Sequence, residues 1–171
     1  GLHPVAAGPD GKLSFGVGNG GPHLVTARAG WTLRSGSVYR DGGAQPADNK
    51  PGLESDDGRV WTGGLICRVG YDGRGLEVLA HNFRNPYEVA PDAFGTLYTA
   101  DNDDDGFAAC RTTWVLPGGN YGFFSADGAR TWQADRRPGQ DAWTAHWHQD
   151  DPGVMPAGTR NGPGGPTGCA V

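Results

Sequence analysis

The sequence has no apolar run approaching the ~18 residues that a membrane-spanning helix needs, and it contains one methionine and no Cys-x-x-Cys pair. The first absence argues against a transmembrane segment. The last removes a zinc ribbon or a covalently attached haem. Basic residues are not clustered. Fourteen Lys and Arg are scattered among nineteen Asp and Glu, for a net charge of −5, so a nucleic-acid partner is not expected. No segment shows amphipathic helical spacing, so helices are not expected either. The three cysteines, Cys67, Cys110 and Cys169, allow one disulfide plus a free thiol, or three unpaired thiols.

Glycine is abundant instead. Thirty-one Gly and thirteen Pro make up about a quarter of the chain, the edge of the range where disorder must be considered. Six Trp, six Phe and five Tyr oppose that reading, because disordered chains are poor in aromatics. Many turns combined with large aromatic side chains point to short strands joined by tight loops.

The turns repeat. Gly8-Pro9-Asp10-Gly11 leads into the strand-like Leu13-Ser14-Phe15-Gly16-Val17, and Ala90-Pro91-Asp92-Ala93-Phe94-Gly95 leads into Leu97-Tyr98-Thr99-Ala100. Pro presets φ, Asp caps the turn, and Gly accepts positive φ. Between them, residues 60–69, the turn 70–75 and residues 76–80 read as strand, hairpin turn, strand. A new start follows at Tyr87-Glu88-Val89-Ala90. A four-stranded unit that restarts is the sequence form of a propeller blade. The interval is roughly 84 positions against 40–50 for an ordinary blade, and the excess falls near residues 20–57, read as an inserted loop. The expected fold is all-β, a partial six-bladed β-propeller of about two blades. The first blade takes 1–85 with that insertion, the second takes 86–122, a long loop takes 123–166, and 167–171 opens a further blade. Two blades leave strand edges unpaired, so such a piece alone is expected to be marginally stable or to aggregate.

Several motifs carry possible chemistry. Gly16-x-Gly18-x-x-Gly21 matches a dinucleotide fingerprint, but Pro22-His23-Leu24-Val25 follows it rather than a helix, so a glycine-rich loop after a strand is the better account. Asp101-Asn102-Asp103-Asp104-Asp105-Gly106 resembles the opening of an EF-hand loop, with Thr112 where the closing Glu belongs. Its four carboxylates repel one another, and a hard cation such as calcium at Asp101, Asp103, Asp104 and Asp105 is the simplest remedy. The alternative is a solvated acidic turn. His146-x-His148 with Asp150 and Asp151 reads as loop histidines bonded to carboxylates in preference to a metal site. Arg136-Arg137 reads as solvated charge. Arg84-Asn85-Pro86 stands between the two blades. Arg suits a carboxylate or quinone oxygen and Asn donates and accepts beside it, while a salt-bridged Arg in a turn is the plainer reading. His3 is either an active-site or a packing residue.

Taken together, Asn82-Phe83-Arg84-Asn85-Pro86-Tyr87, the strand ending in Asp101–Asp105, and Gly118-Gly119-Asn120-Tyr121-Gly122 resemble soluble PQQ-dependent glucose and sorbosone dehydrogenases, which are six-bladed propellers. The sequence is closer still to the large membrane-bound dehydrogenase propellers of planctomycetes and verrucomicrobia. Residues 81–89, 101–106, 146–148 and 151–156 carry that likeness. The resemblance implies that Arg84 and Asn85 hold the oxygens of PQQ and that carbonyls at positions 103 and 104 bind calcium, although the loop here is acidic where the family has Gly-Pro. It also implies that the family's catalytic His precedes the Gly-Pro-Asp turn, with His3 the nearest candidate in this chain and the expected base upstream of Gly1. The implied reaction removes a proton from a sugar or alcohol hydroxyl by His while hydride passes to the quinone, with calcium as Lewis acid and Arg84 steadying the oxyanion. The implied partners are a sugar or alcohol and an electron acceptor such as a cytochrome domain, and the implied location is the periplasm or the cell exterior. Two other classes stay open on this fold: a non-catalytic propeller that binds protein or glycan around a structural calcium, and a metal-dependent lactonase or hydrolase.

Overall fold

The structure is a computed structural model that describes residues 1–20, 23–37, 50–102, 110–125, 128–129, 138–139, 153–162, 164–166 and 168–169. Among these the chain is all-β, with no helix. Strands β1 (Leu2–Ala7), β2 (Lys12–Val17), β6 (Leu65–Gly70) and β7 (Glu77–His81) form an antiparallel meander, extended by a short parallel pairing of β11 (Gly119–Asn120) with β7. A second antiparallel sheet runs β8 (Pro86–Pro91), β9 (Leu97–Asp101), β10 (Arg111–Val115) and β12 (Thr159–Arg160). The first strands of the two sheets lie together, with β8 packed on β1 and β2. Two open meanders side by side have the form of adjacent propeller blades.

The stretch expected as an inserted loop holds structure of its own. Strands β3 (His23–Thr26) and β4 (Thr32–Gly36) make a hairpin, and β5 (Trp61–Thr62) adds to it in parallel. Its shortness and its surface-facing β3, where Leu24 and Val25 stay exposed, hid the strand alternation. Likewise β12, inside the expected long loop, supplies the outer strand of the second sheet.

One turn design recurs. In Gly8–Lys12, Ser55–Arg59 and Gly70–Arg74 the first N–H bonds the fifth carbonyl at 2.8–2.9 Å, and the fourth residue, a glycine, bonds back to the first carbonyl. The Asp side chain at the third position accepts the fifth N–H at 3.0–3.1 Å. The fourth residue needs positive φ, as at Gly11 (φ 73°), Gly58 (73°) and Gly73 (78°), which fixes Gly there. Ala27–Trp31 and Asp92–Thr96 repeat the backbone pattern, and Asp92 caps its own turn by accepting from Phe94 and Thr96.

Strand alternation divides the core. On β6, Ile66 faces the second sheet with Leu79, Phe83, Val89, Leu97, Val115 and Tyr121. Its neighbours Leu65 and Cys67 face the small sheet with Leu33 and Trp61. The first sheet is therefore covered on both faces, and successive residues of β6 serve different cores. All three cysteines are free, and burial pushes the Cys67 thiol up to about 12.

Candidate functional site

The strand registers bring one set of ends together. Leu2 pairs with Val17, Val17 with Leu65, and Leu65 with His81 in the first sheet, while Pro86, Asp101 and Arg111 align in the second. The crossover 82–85 joins the two sheets at that end, opposite the tight turns. It starts at Asn82, the one non-glycine described residue with positive φ (66°), a conformation Asn tolerates better than most residues. The Asn82 amide donates to Asn120 Oδ1 and the Phe124 carbonyl, both at 2.8 Å, and its oxygen accepts the Phe124 N–H at 2.8 Å. Phe83 then stacks on Tyr121, centroids 4.0 Å apart. A Cβ at Gly64 (φ 83°) would run into the Phe83 carbonyl, so only glycine lets the two backbones approach and form the Phe83 N–H bond to Gly64 at 3.1 Å.

Arg84 and Asn85 follow, with half-buried side chains. Their backbone N–H groups both donate to one carboxylate, Arg84 to Asp101 Oδ2 at 3.2 Å and Asn85 to Asp101 Oδ1 at 2.7 Å. Arg111, from the facing position on β10, donates through Nη2 to Asp101 Oδ2 at 3.0 Å and to the Tyr121 carbonyl at 2.7 Å. Asp101 and Arg111 are both 0% exposed. The guanidinium lies 5.5 Å from the Tyr121 ring and 5.9 Å from that of Phe83. Burial lowers the Arg111 pKa and the Asp101 charge opposes that shift, so the buried charges compensate each other. The Asp101 carboxylate, read from the sequence as a metal ligand, faces Arg111 and the two crossover amides here, and it anchors the Arg84–Asn85 backbone.

His3 sits where β1 and β2 slip register, between Leu2 and Val5, the kind of irregularity that re-aims a side chain. Its Nε2 lies 2.7 Å from Asn85 Oδ1 and its ring 4.9 Å from that of Tyr87. An amide oxygen only accepts, so His3 Nε2 is the donor in this contact. The glycines once matched to a nucleotide loop have a different purpose. A Cβ at Gly16 would meet the Pro86 carbonyl, and one at Gly18 the Asn85 Oδ1. Strand β3, not a helix, comes next, so the glycines admit the crossover rather than a pyrophosphate.

His3, Arg84, Asn85 and Asp101 thus converge at one place. Asp103, Asp104 and Asp105 lie outside the described residues, as do Gly21, His146, His148, Asp150, Asp151, Arg136, Arg137, most of 123–166, and 167, 170 and 171. Among the described residues no three His, Cys, Asp or Glu gather in a way that could hold a metal ion, and no helix is long and apolar enough to cross a membrane. Arg111, Asn82 and Tyr121 were not singled out from the sequence as site residues. The repeated glycines opposite the crossover are the one signal that a close approach occurs there.

No protein-family model matches the chain, and no curated protein matches it. Among solved structures it is similar to the PQQ-bound form of an aldose sugar dehydrogenase from Streptomyces coelicolor, with a TM-score of 0.43 and 21% identity. The match covers 82% of this chain and 32% of that one, so the chain spans about a third of that protein's length.

Proposed function

We propose that the chain is part of a quinoprotein-type oxidoreductase that oxidises a sugar or alcohol with PQQ, in a six-bladed propeller of the kind its motifs resemble in planctomycetes and verrucomicrobia. The observation that carries this is the convergence of Arg84, Asn85 and His3 at one end of two adjacent sheets. The donor set fits an anionic, oxygen-rich quinone. The backbone amides of residues 84 and 85 are taken by Asp101, and both side chains are half-buried at this end of the sheets. The Arg84 guanidinium, 5.8 Å from the Phe123 ring, supplies a fixed fork of donors. His3 holds the Asn85 oxygen and so leaves the amide nitrogen as its donor end. Held by Arg84 and Asn85, PQQ would supply the acceptor for the hydride equivalent. His3 is the nearest candidate proton acceptor among the described residues, while the resemblance places the family's base upstream of Gly1. Calcium at Asp103, Asp104 and Asp105 belongs to the proposal on sequence grounds alone, as do a cytochrome-like electron acceptor and a periplasmic or extracellular location.

The test is to reconstitute the intact protein with PQQ and calcium and follow dye reduction with a panel of aldoses and alcohols. Turnover that falls about a hundredfold in Arg84→Ala, the scale of losing one oxyanion donor, supports the reading. Metal-dependent lactone hydrolysis without quinone, or neither activity, overturns it in favour of a hydrolase or a binding propeller.

A further inference from the structure

We infer that the buried Asp101–Arg111 pair positions the Arg84–Asn85 site, acting through those two residues and touching no ligand itself; this rests on the reading of Arg84 and Asn85 as the groups that meet the quinone. A cross-strand ion pair with both members at 0% exposure is a poor way to gain stability, because desolvating the two charges offsets most of their attraction. What the pair does provide is geometric. The crossover leaves two consecutive backbone N–H groups that point the same way, and a carboxylate is the side chain with two acceptor oxygens to receive one each. Asp101 takes Asn85 on Oδ1 and Arg84 on Oδ2. Arg111 makes that carboxylate tolerable in the core, with Nη2 and Nε both reaching Oδ2, at 3.0 and 3.3 Å. Arg111 is fixed in turn by the Tyr121 carbonyl at 2.7 Å. Tyr121 stacks on Phe83, the residue just before Arg84, so the crossover is held from both sides. With the backbone of 84 and 85 pinned, the Asn85 side chain reaches His3 and the Arg84 side chain lies by Phe123.

The pair sits at the first inter-strand position of β9 and β10, where Asp101 faces both Pro86 and Arg111. The same residue that ends β9 therefore sets the start of β8. A neutral Asn at 101 has one acceptor oxygen and sets an N–H₂ against the second amide, so one crossover N–H loses its partner.

The experiment uses the intact protein with two changes: Asp101→Asn alone, and Asp101→Asn together with Arg111→Gln, which also removes the orphaned buried cation in case the single change does not fold. Three readouts are taken: the Kd for PQQ with calcium present, amide exchange resolved by NMR, and the 15N signal of His3 Nε2. The expected result for the double variant is a PQQ Kd raised about tenfold, the scale of one unsatisfied hydrogen bond in a site. Exchange should quicken at the Arg84 and Asn85 amides while the β6–β7 ladder stays protected, and the His3 signal should shift as Asn85 moves. An unchanged Kd in the folded double variant, or exchange that quickens uniformly with no shift at His3, means that the pair is structural only and overturns the inference. Failure of the unsubstituted protein to bind PQQ contradicts the quinone reading instead. The positioning role is then decided by the exchange pattern and the His3 signal, selective change upholding it and uniform change overturning it.

Discussion

The two ends of the sheets are built on opposite plans. At the turn end, each hairpin's backbone is closed by its own residues: Asp10, Asp72 and Asp92 cap N–H groups two to four residues away, and Asp10 meets Arg68 of a neighbouring strand as well. At the crossover end, partners come from 10 to 82 positions apart, as in Asp101 with Arg111 and His3 with Asn85, and the Asp101 and Arg111 anchors are buried. A self-contained turn tolerates change around it. A network of long-range polar bonds at low dielectric fails as a unit but fixes side chains sharply, which is what a ligand site requires.

The largest effect that would break this contrast is at Arg111. Arg111→Met leaves the Asp101 carboxylate buried without its cation, and a loss of roughly 3–5 kcal/mol is expected in urea denaturation of the intact protein. Gly64→Ala forces a side chain into positive φ and into the Phe83 backbone, and a loss of roughly 3 kcal/mol is expected by the same measurement.

Acid pH separates the regions further. Burial pushes both His81 and His23 down to about 4, with the positive amino terminus adding to the effect at His23. His81 Nδ1 accepts the Thr62 N–H at 3.2 Å and so ties β7 to the small sheet. Because the folded pKa is below the unfolded value of about 6.5, the stabilisation from keeping the ring neutral is complete above pH 6.5. It declines as pH falls from 6.5 towards 4, by up to about 3 kcal/mol per histidine. Stability curves over that window should lose one proton's worth of slope in His81→Gln; an unchanged slope would remove His81 from the account. The smallest effects belong to the turns. Asp92→Ala, which deletes two local hydrogen bonds, is expected to lower the urea midpoint slightly, and Asp72→Ala less, both without effect on the crossover end.

This contrast also explains what the sequence made legible. The Pro-Asp and Asp-Gly turns, the 60–80 hairpin and the restart at Tyr87 could be read because their causes lie within a few residues. Ser55-Asp56-Asp57-Gly58-Arg59 follows the same rule as Gly70-Tyr71-Asp72-Gly73-Arg74 and was legible too, although it was assigned to an inserted loop. Arg84 and Asn85 stood out as a motif, but their anchor did not. In Arg111-Thr112-Thr113-Trp114-Val115 the inward residues are Arg111, Thr113 and Val115, while Trp114 is 46% exposed, the reverse of what hydrophobicity prescribes. Asp101 was drawn into an acidic loop by its neighbours, whereas it ends a strand and answers to Arg111. Pairing across strands decides both, and local pattern does not contain it.

The central claim, that the crossover end binds the quinone, is tested most directly by titrating PQQ, with calcium, into the intact protein and into its Arg84→Ala and Asp92→Ala variants. The account predicts saturable binding that is lost or weakened at least about tenfold in Arg84→Ala and unchanged in Asp92→Ala. Equal affinity in Arg84→Ala, or no binding by the unsubstituted protein, would contradict it.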